Sequence, residues 1–149
     1  MKALNEMKIT FPSRSENESL ARSAVASLIT QLDPAVDELI DIRTAVSEAV
    51  TNCIVHAYPD DVGKITVVAK IYQNGRVVIK IRDRGIGIED VEQAMEPLFT
   101  TGGEERSGLG FSVMESFTDK LRVKSMRDKG TVVTLEKYIQ LRQRQGKQS

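Results

Sequence analysis

Glu48, Asn52 and His56 stand at every fourth position of the segment 46–57, and a helix gathers residues so spaced onto one stripe. Val46, Ala49, Val50, Cys53 and Ile54 fill much of the remaining surface, so the helix is expected to be largely buried. A carboxylate and an amide on a buried helix are unfavourable unless something pairs with them, which makes them candidates for holding a ligand. Asn52 offers a neutral oxygen suited to Mg²⁺, a cation that keeps water and phosphate in its shell. Glu48, one turn earlier, could accept the proton of a hydroxyl attacking a γ-phosphate, a reaction that asks for orientation and charge neutralisation. His56 is the chain's single histidine and is expected to be structural, near a helix end whose dipole favours its cation. No second His or Cys stands at ligand spacing to build a metal site with it.

Two further groups complete a candidate site. Val77, Ile79 and Ile81 alternate along one face, and continuing that alternation brings Asp83 inward, beneath the helices. A buried carboxylate there could accept the exocyclic amine of adenine, whereas the carbonyl of guanine would be repelled. Gly85 and Gly87 follow at once and let the backbone turn and come close to a ligand. Downstream, Ser107-Gly108-Leu109-Gly110 runs straight into a helix, where free backbone N–H groups and the helix dipole suit phosphate. The loop from Pro97 to Ser107 holds Thr100, Thr101 and Arg106 and is long enough to act as a lid. Arg106 is the candidate cation for neutralising a γ-phosphate.

The elements that must position these groups are legible in outline. Met7 to Phe11 alternates as a short strand. Ser15 or Asn17 is expected to cap a helix to about Gln31, with Leu20, Ala24, Leu28 and Leu32 inward. Asp33-Pro34 breaks it and starts the second helix, which carries Glu48 and runs to Tyr58-Pro59. The period then becomes twofold over 65–72 and 77–82, around Asn74-Gly75, a strong hairpin signal. Residues 89–96 and 110–117 read as short helices, and 121–125 with 131–135 as a second hairpin around Asp128-Lys129-Gly130. Hairpins imply a mainly antiparallel sheet with helices packed on one face: an α+β fold, a two-layer sandwich rather than a doubly wound one.

The 149 residues suit one domain, expected over 1–139, with a polar, basic tail over 140–149 expected to be disordered. Lys and Arg number 21 and Asp and Glu 21, so bulk charge gives no reason to expect direct binding to nucleic acid. No apolar run reaches membrane-spanning length and no signal-peptide core begins the chain, so neither membrane nor export is expected. A single cysteine, Cys53, fits a reducing cytoplasm and reads as a small buried hydrophobe.

These motifs resemble the GHKL ATPase superfamily, which includes histidine-kinase catalytic domains and gyrase B subunits. Glu48 with Asn52 is similar to its N box, Asp83-Arg84-Gly85-Ile86-Gly87 to its first glycine box, Gly108-Leu109-Gly110 to its second, and Gly130-Thr131 to its terminal Gly-Thr element. The resemblance implies the Bergerat ATP-binding fold. In it Asp83 and Thr131 contact adenine, Asn52 holds Mg²⁺, and the lid with the second glycine box wraps the phosphates. Within the superfamily, Glu48-Ala49-Val50-Thr51-Asn52 followed by His56-Ala57-Tyr58 is similar to the anti-sigma serine kinases. The segments 15–22, 31–34, 97–101 and 105–111 resemble the anti-sigma F subgroup of spore-forming bacteria, and the likeness extends over about residues 5–137.

That subgroup implies a cytoplasmic homodimer that silences sigma factor F and phosphorylates a serine of an anti-anti-sigma protein. A stress-type sigma factor as target, or a stand-alone histidine-kinase-like catalytic domain, are the alternatives. Partners of the subgroup meet the first helix, where Glu18 and Arg22 lie at i, i+4 off the expected inner stripe. They form either a partner-facing pair or an ordinary surface ion pair. One departure stands out: Gly102-Gly103 replaces the Lys-Pro that such members carry after the two threonines, so a phosphate contact from a lid lysine is missing.

Overall fold

The computed structural model describes residues 1–96 and 110–141. Five strands form one antiparallel sheet: β1 (Asn5–Pro12), β2 (Lys64–Ile71), β3 (Arg76–Asp83), β4 (Lys120–Met126) and β5 (Gly130–Tyr138), in the order β1-β2-β3-β5-β4. Helices α1 (Asn17–Ile29) and α2 (Val36–Asn52) lie on one face, with the short α3 (Val91–Ala94) and α4 (Phe111–Ser116) between β3 and β4. The other face of the sheet carries no helix among the described residues. This is the two-layer α+β arrangement expected from the hairpins.

Alternation explains the central hairpin. Ile65, Val67, Ala69 and Ile71 on β2 and Val77, Ile79 and Ile81 on β3 are all buried, and the register sets Ile71 against Val77 and Val67 against Ile81. Gly75 turns the chain at φ 93°, a conformation that side chains disfavour, and Tyr72 and Arg76 close the turn through Tyr72 N–H to the Arg76 carbonyl at 2.9 Å.

The inner face of α1 differs from the expected stripe. Ala21, Val25, Leu28 and Ile29 are buried, whereas Leu20 is 52% exposed and Ala24 is half-buried. A strict spacing of four drifts around a helix of about 3.6 residues per turn, so the contact line moves to 21, 25, 28, 29 and 32. The expected cap differs too. Glu16 holds the cap position without a side-chain bond, and Asn17 Nδ2 instead donates to the Pro12 carbonyl at 2.9 Å.

A 3-10 turn, Thr30–Leu32, ends at Asp33 in the left-handed region with φ 54°. The α2 start is then fixed by Glu38, whose Oε1 accepts the Ala35 N–H at 2.8 Å, with Asp37 adding a second acid at the positive end of the helix. Ile42, Ala45, Val46, Ala49 and Val50 bury against the sheet. Beyond β5, Ile139 is 2% exposed and the Gln140 N–H donates to Glu38 Oε2 at 2.9 Å; residues 142–149 of the expected tail lie outside the described residues.

Ile81 is fully buried at the centre of this core. Ile81→Ala is expected to lower stability by about 2–5 kcal/mol, seen as a lower urea midpoint at unchanged slope.

Candidate functional site

The helix bearing Glu48 and Asn52 does not continue as a plain α-helix. After Asn52 the residues Cys53–Ala57 form a π turn. The wider turn interrupts the expected stripe just where function is often found. Its last residue, Ala57, receives the Ile86 N–H at 2.9 Å, which ties the end of this helix to the turn after β3. A side-chain carbon at Gly85 would strike the Ala57 carbonyl oxygen, so the close approach that demands glycine here is to protein backbone. Tyr58 completes the clasp: its hydroxyl donates to the Lys64 carbonyl and accepts the Arg84 N–H, both at 2.7 Å.

Asp83 is the anchor. It ends β3 on the inward face, 5% exposed, opposite Ile65 on β2 and Thr131 on β5. One carboxylate oxygen accepts the Gly85 N–H at 2.9 Å and the other accepts the Cys53 thiol at 3.4 Å. Burial raises the Asp83 carboxyl above its ordinary value, and the donors from Gly85, Cys53 and the Thr131 backbone only partly offset it. The same burial, reinforced by the nearby Asp83 charge, pushes the Cys53 thiol well up, so Cys53 serves as a neutral donor. It is buried, as expected, and it also bonds the candidate adenine acceptor.

Thr131 is held by Ser125, a residue that sequence reasoning did not single out. Ser125 Oγ lies 3.1 Å from the Gly130 carbonyl, 2.7 Å from the Ile88 N–H and 2.8 Å from Thr131 Oγ1. If the Ser125 hydroxyl hydrogen goes to Gly130, the Thr131 hydroxyl donates to Ser125. Thr131 then presents acceptor lone pairs beside the Asp83 carboxylate. Two acceptors side by side suit an amine or a water.

These groups line a narrow crevice between α2 and the sheet. Asn52, His56, Asp83 and Thr131 supply its polar wall, and Ala49, Ile88, Phe111 and Val133 its apolar one. Gly87 and Cys53 border it as well. His56, expected as a structural bystander, also lines the crevice. Apolar walls with acceptors at one end are the kind of lining found in small-molecule sites, here around a narrow gap rather than a ring-sized cavity.

Glu48 stands farther along α2, half-buried, at the start of α4. A side-chain carbon on Gly110, whose φ is 63°, would collide with Glu48 Oε1. The structure thus brings Glu48 to Gly110 at one end and Asn52, Gly87, Asp83 and Thr131 together at the other, with Asn52 one helical turn from Glu48. Thr100, Thr101, Arg106, Ser107, Gly108 and Leu109 lie outside the described residues. On α1, Glu18 and Arg22 lie 3.3 Å apart, and Ser47 Oγ donates to Glu18 Oε2 at 2.6 Å. The Arg22 Nε–H is close to that carboxylate but not aimed at it, and makes no hydrogen bond among the described residues. Glu18 is thereby tied to the residue preceding Glu48.

Comparison with known proteins fits this geometry. The histidine kinase-like ATPase domain family matches residues 11–137. Among curated proteins, the anti-sigma F factor of Caldanaerobacter subterraneus subsp. tengcongensis is 55% identical, covering 91% of this chain and 94% of its own. Those of Geobacillus kaustophilus and Clostridium perfringens are 52% and 49% identical, covering 91% of this chain and 93% and 97% of their own lengths. Among solved structures, the RsbU and RsbW domains of Rv1364c from Mycobacterium tuberculosis superpose with a TM-score of 0.66 at 21% identity, covering 91% of this chain and 32% of that one. At that identity the likeness shows the fold alone. Among the described residues no helix is long and apolar enough to cross a membrane.

The raised Asp83 carboxyl sets a pH dependence with a definite sign. A carboxyl that binds its proton more tightly when folded stabilises the fold below its unfolded pKa of about 3.9. That contribution is lost as pH rises through the raised folded value. Asp83→Asn is expected to flatten this segment of the curve, measured as urea stability across the acidic range without ligand.

Proposed function

The chain belongs to the anti-sigma F factor family of the histidine kinase-like ATPases, and from that premise we propose that it is an ATP-dependent protein serine kinase that also silences a sigma factor. In this reading it holds sigma factor F inactive and phosphorylates a serine of its anti-anti-sigma antagonist. The observation that carries the reading is the two-ended arrangement along α2. A pair of buried acceptors, Asp83 and Thr131, lies at one end and a carboxylate, Glu48, at the other, with the Asn52 amide between them.

Each group has a distinct task. Asp83, with its two oxygens oriented by Gly85 and Cys53, accepts the adenine amine together with Thr131. That pairing selects adenine over guanine, because a guanine carbonyl in the same place would face two acceptors. Asn52 would supply one oxygen ligand to Mg²⁺. The fit rests on donor chemistry: the Asn52 side chain carries a neutral oxygen at the crevice wall. A site of this kind suits an ion that takes most of its ligands from phosphate and water. Bound Mg²⁺ supplies charge neutralisation across the phosphates. Glu48 accepts the proton of an incoming serine hydroxyl as its oxygen bonds to the γ-phosphorus and the bond to the ADP oxygen breaks. Thr100, Thr101, Arg106, Ser107, Gly108, Leu109 and Gly110 are assigned to the triphosphate on sequence grounds, with Arg106 as the neutralising cation. Gly85 and Gly87 shape the adenine end. Glu18 and Arg22, beside the exposed Leu20, are assigned to partner contact in a cytoplasmic homodimer.

Glu48→Gln separates chemistry from binding. It is expected to keep Mg·ATP affinity within a few-fold while phosphate transfer to the protein serine falls by about 10²–10⁴. Mapping the phosphorylated residue completes the test. Acid-stable phosphoserine on the antagonist supports the assignment, whereas acid-labile phosphohistidine, or undiminished transfer in the variant, rejects it.

A further inference from the structure

A chain with equal numbers of acidic and basic residues need not be evenly charged, and this one is not. Helices α1 and α2 carry Glu18, Asp37, Glu38, Asp41 and Glu48 against Arg22 and Arg43. The open face of the sheet has the opposite sign. Lys8, Lys64, Lys80, Arg82, Arg122 and Lys124 occupy outward positions on β1, β2, β3 and β4, and all are exposed. None of these six forms an ion pair with a described residue. The acidic side chains of this face, Glu6 and Glu136, are already engaged by Lys70 at 3.8 Å and Arg76 at 2.9 Å.

An ordinary solvated sheet face sets opposite charges across neighbouring strands. Here Lys70 faces Glu6 and Lys120 faces Glu136 in this way, but elsewhere the register sets cations against Val and Thr: Lys80 lies between Val68 and Thr134, Arg122 faces Thr134, and Lys124 faces Val132. The cations are spaced apart without being neutralised. Two shallow depressions run over the face and meet at Val68, Lys80 and Val132, so the surface is concave.

We infer that this open sheet face binds the phosphate backbone of a nucleic acid duplex, independently of base sequence. Three observations select that occupant. Lysine is depleted from protein–protein interfaces, which draw on aromatic anchors, whereas strongly positive, polar faces characterise nucleic-acid contacts. A concave face would leave its central cations short of a planar lipid surface. Five strands at about 4.8 Å spacing extend for roughly 19 Å, along which a duplex carries about eleven phosphates, enough to engage all six free cations. The face lies on the side of the sheet opposite the crevice, so both can be occupied at once. The balanced bulk charge pointed away from nucleic acid only because it averaged two layers of opposite sign.

The test is fluorescence anisotropy of the full chain with a labelled, mixed-sequence DNA duplex of about 20 base pairs, titrated over salt. Six phosphate contacts predict a slope of log K against log salt near about −5, unchanged for a second sequence of equal length. The triple variant Lys80→Glu, Arg122→Glu, Lys124→Glu is expected to lose at least about 100-fold in affinity and about three units of slope. Its urea midpoint and ATP affinity serve as fold controls. The charge-conserving variant Lys80→Arg, Arg122→Lys, Lys124→Arg is expected to bind within a few-fold of wild type. Absence of duplex binding at low salt overturns the inference, as does a folded triple variant that binds as wild type does. Tighter binding to anionic vesicles or to an acidic polypeptide at matched charge also overturns it. So does a change of oligomeric state in the triple variant, which would mean that a second copy covers the face.

Discussion

A buried carboxylate organises this molecule. Asp83 sits at the inner end of β3, almost fully removed from water, and its ionised form is tolerable there only because donors reach both of its oxygens. Those donors come from different parts of the chain: Gly85 from the turn that follows, Cys53 from the π turn ending α2. To keep both in place, the turn after β3 must dock on Ala57, and Tyr58 must bridge Arg84 to Lys64. The local irregularities of the fold are thus consequences of accommodating one charge.

The same demand explains why the crevice has the shape it does. Cys53, at the start of the π turn, bonds Asp83, and His56 lines the crevice beside Asn52. On the sheet side, Ser125 fixes Thr131 and the Ile88 backbone together, so β4 contributes to the site without touching its centre. Burial that stabilises the sandwich and polarity that prepares it for a ligand are therefore met by one set of contacts, which links stability to ligand recognition.

Much of this was legible in the residues. Alternation in 65–71 and 77–81 predicts the central hairpin, and its continuation predicts the inward Asp83, because the strand period of two leaves no freedom. The i, i+4 relation of Glu48 and Asn52 holds because both precede the π turn. Other details were not legible for definite reasons. The inner face of α1 follows a 3.6 period that a spacing of four only approximates, so Leu20 is turned outward. A cap at Ser15 or Asn17 was plausible by residue type, but Asn17 found the Pro12 carbonyl instead. Nothing in the local sequence marks Ser125 or the Cys53 thiol as partners of the site, since both act across strands or layers.

By itself, then, the sequence determined the layers, the strand alternation and the types of residue available for phosphoryl chemistry, because these depend on local period and side-chain character. Tertiary structure decided which of those residues meet: that Thr131 faces Asp83, that Glu48 touches Gly110, and that His56 reaches the crevice. It also decided where charge accumulates. A composition sums charges regardless of position, whereas folding sends the acids of α1 and α2 to one side and the outward lysines and arginines of the sheet to the other. Only in three dimensions does a chain of zero net charge acquire two faces.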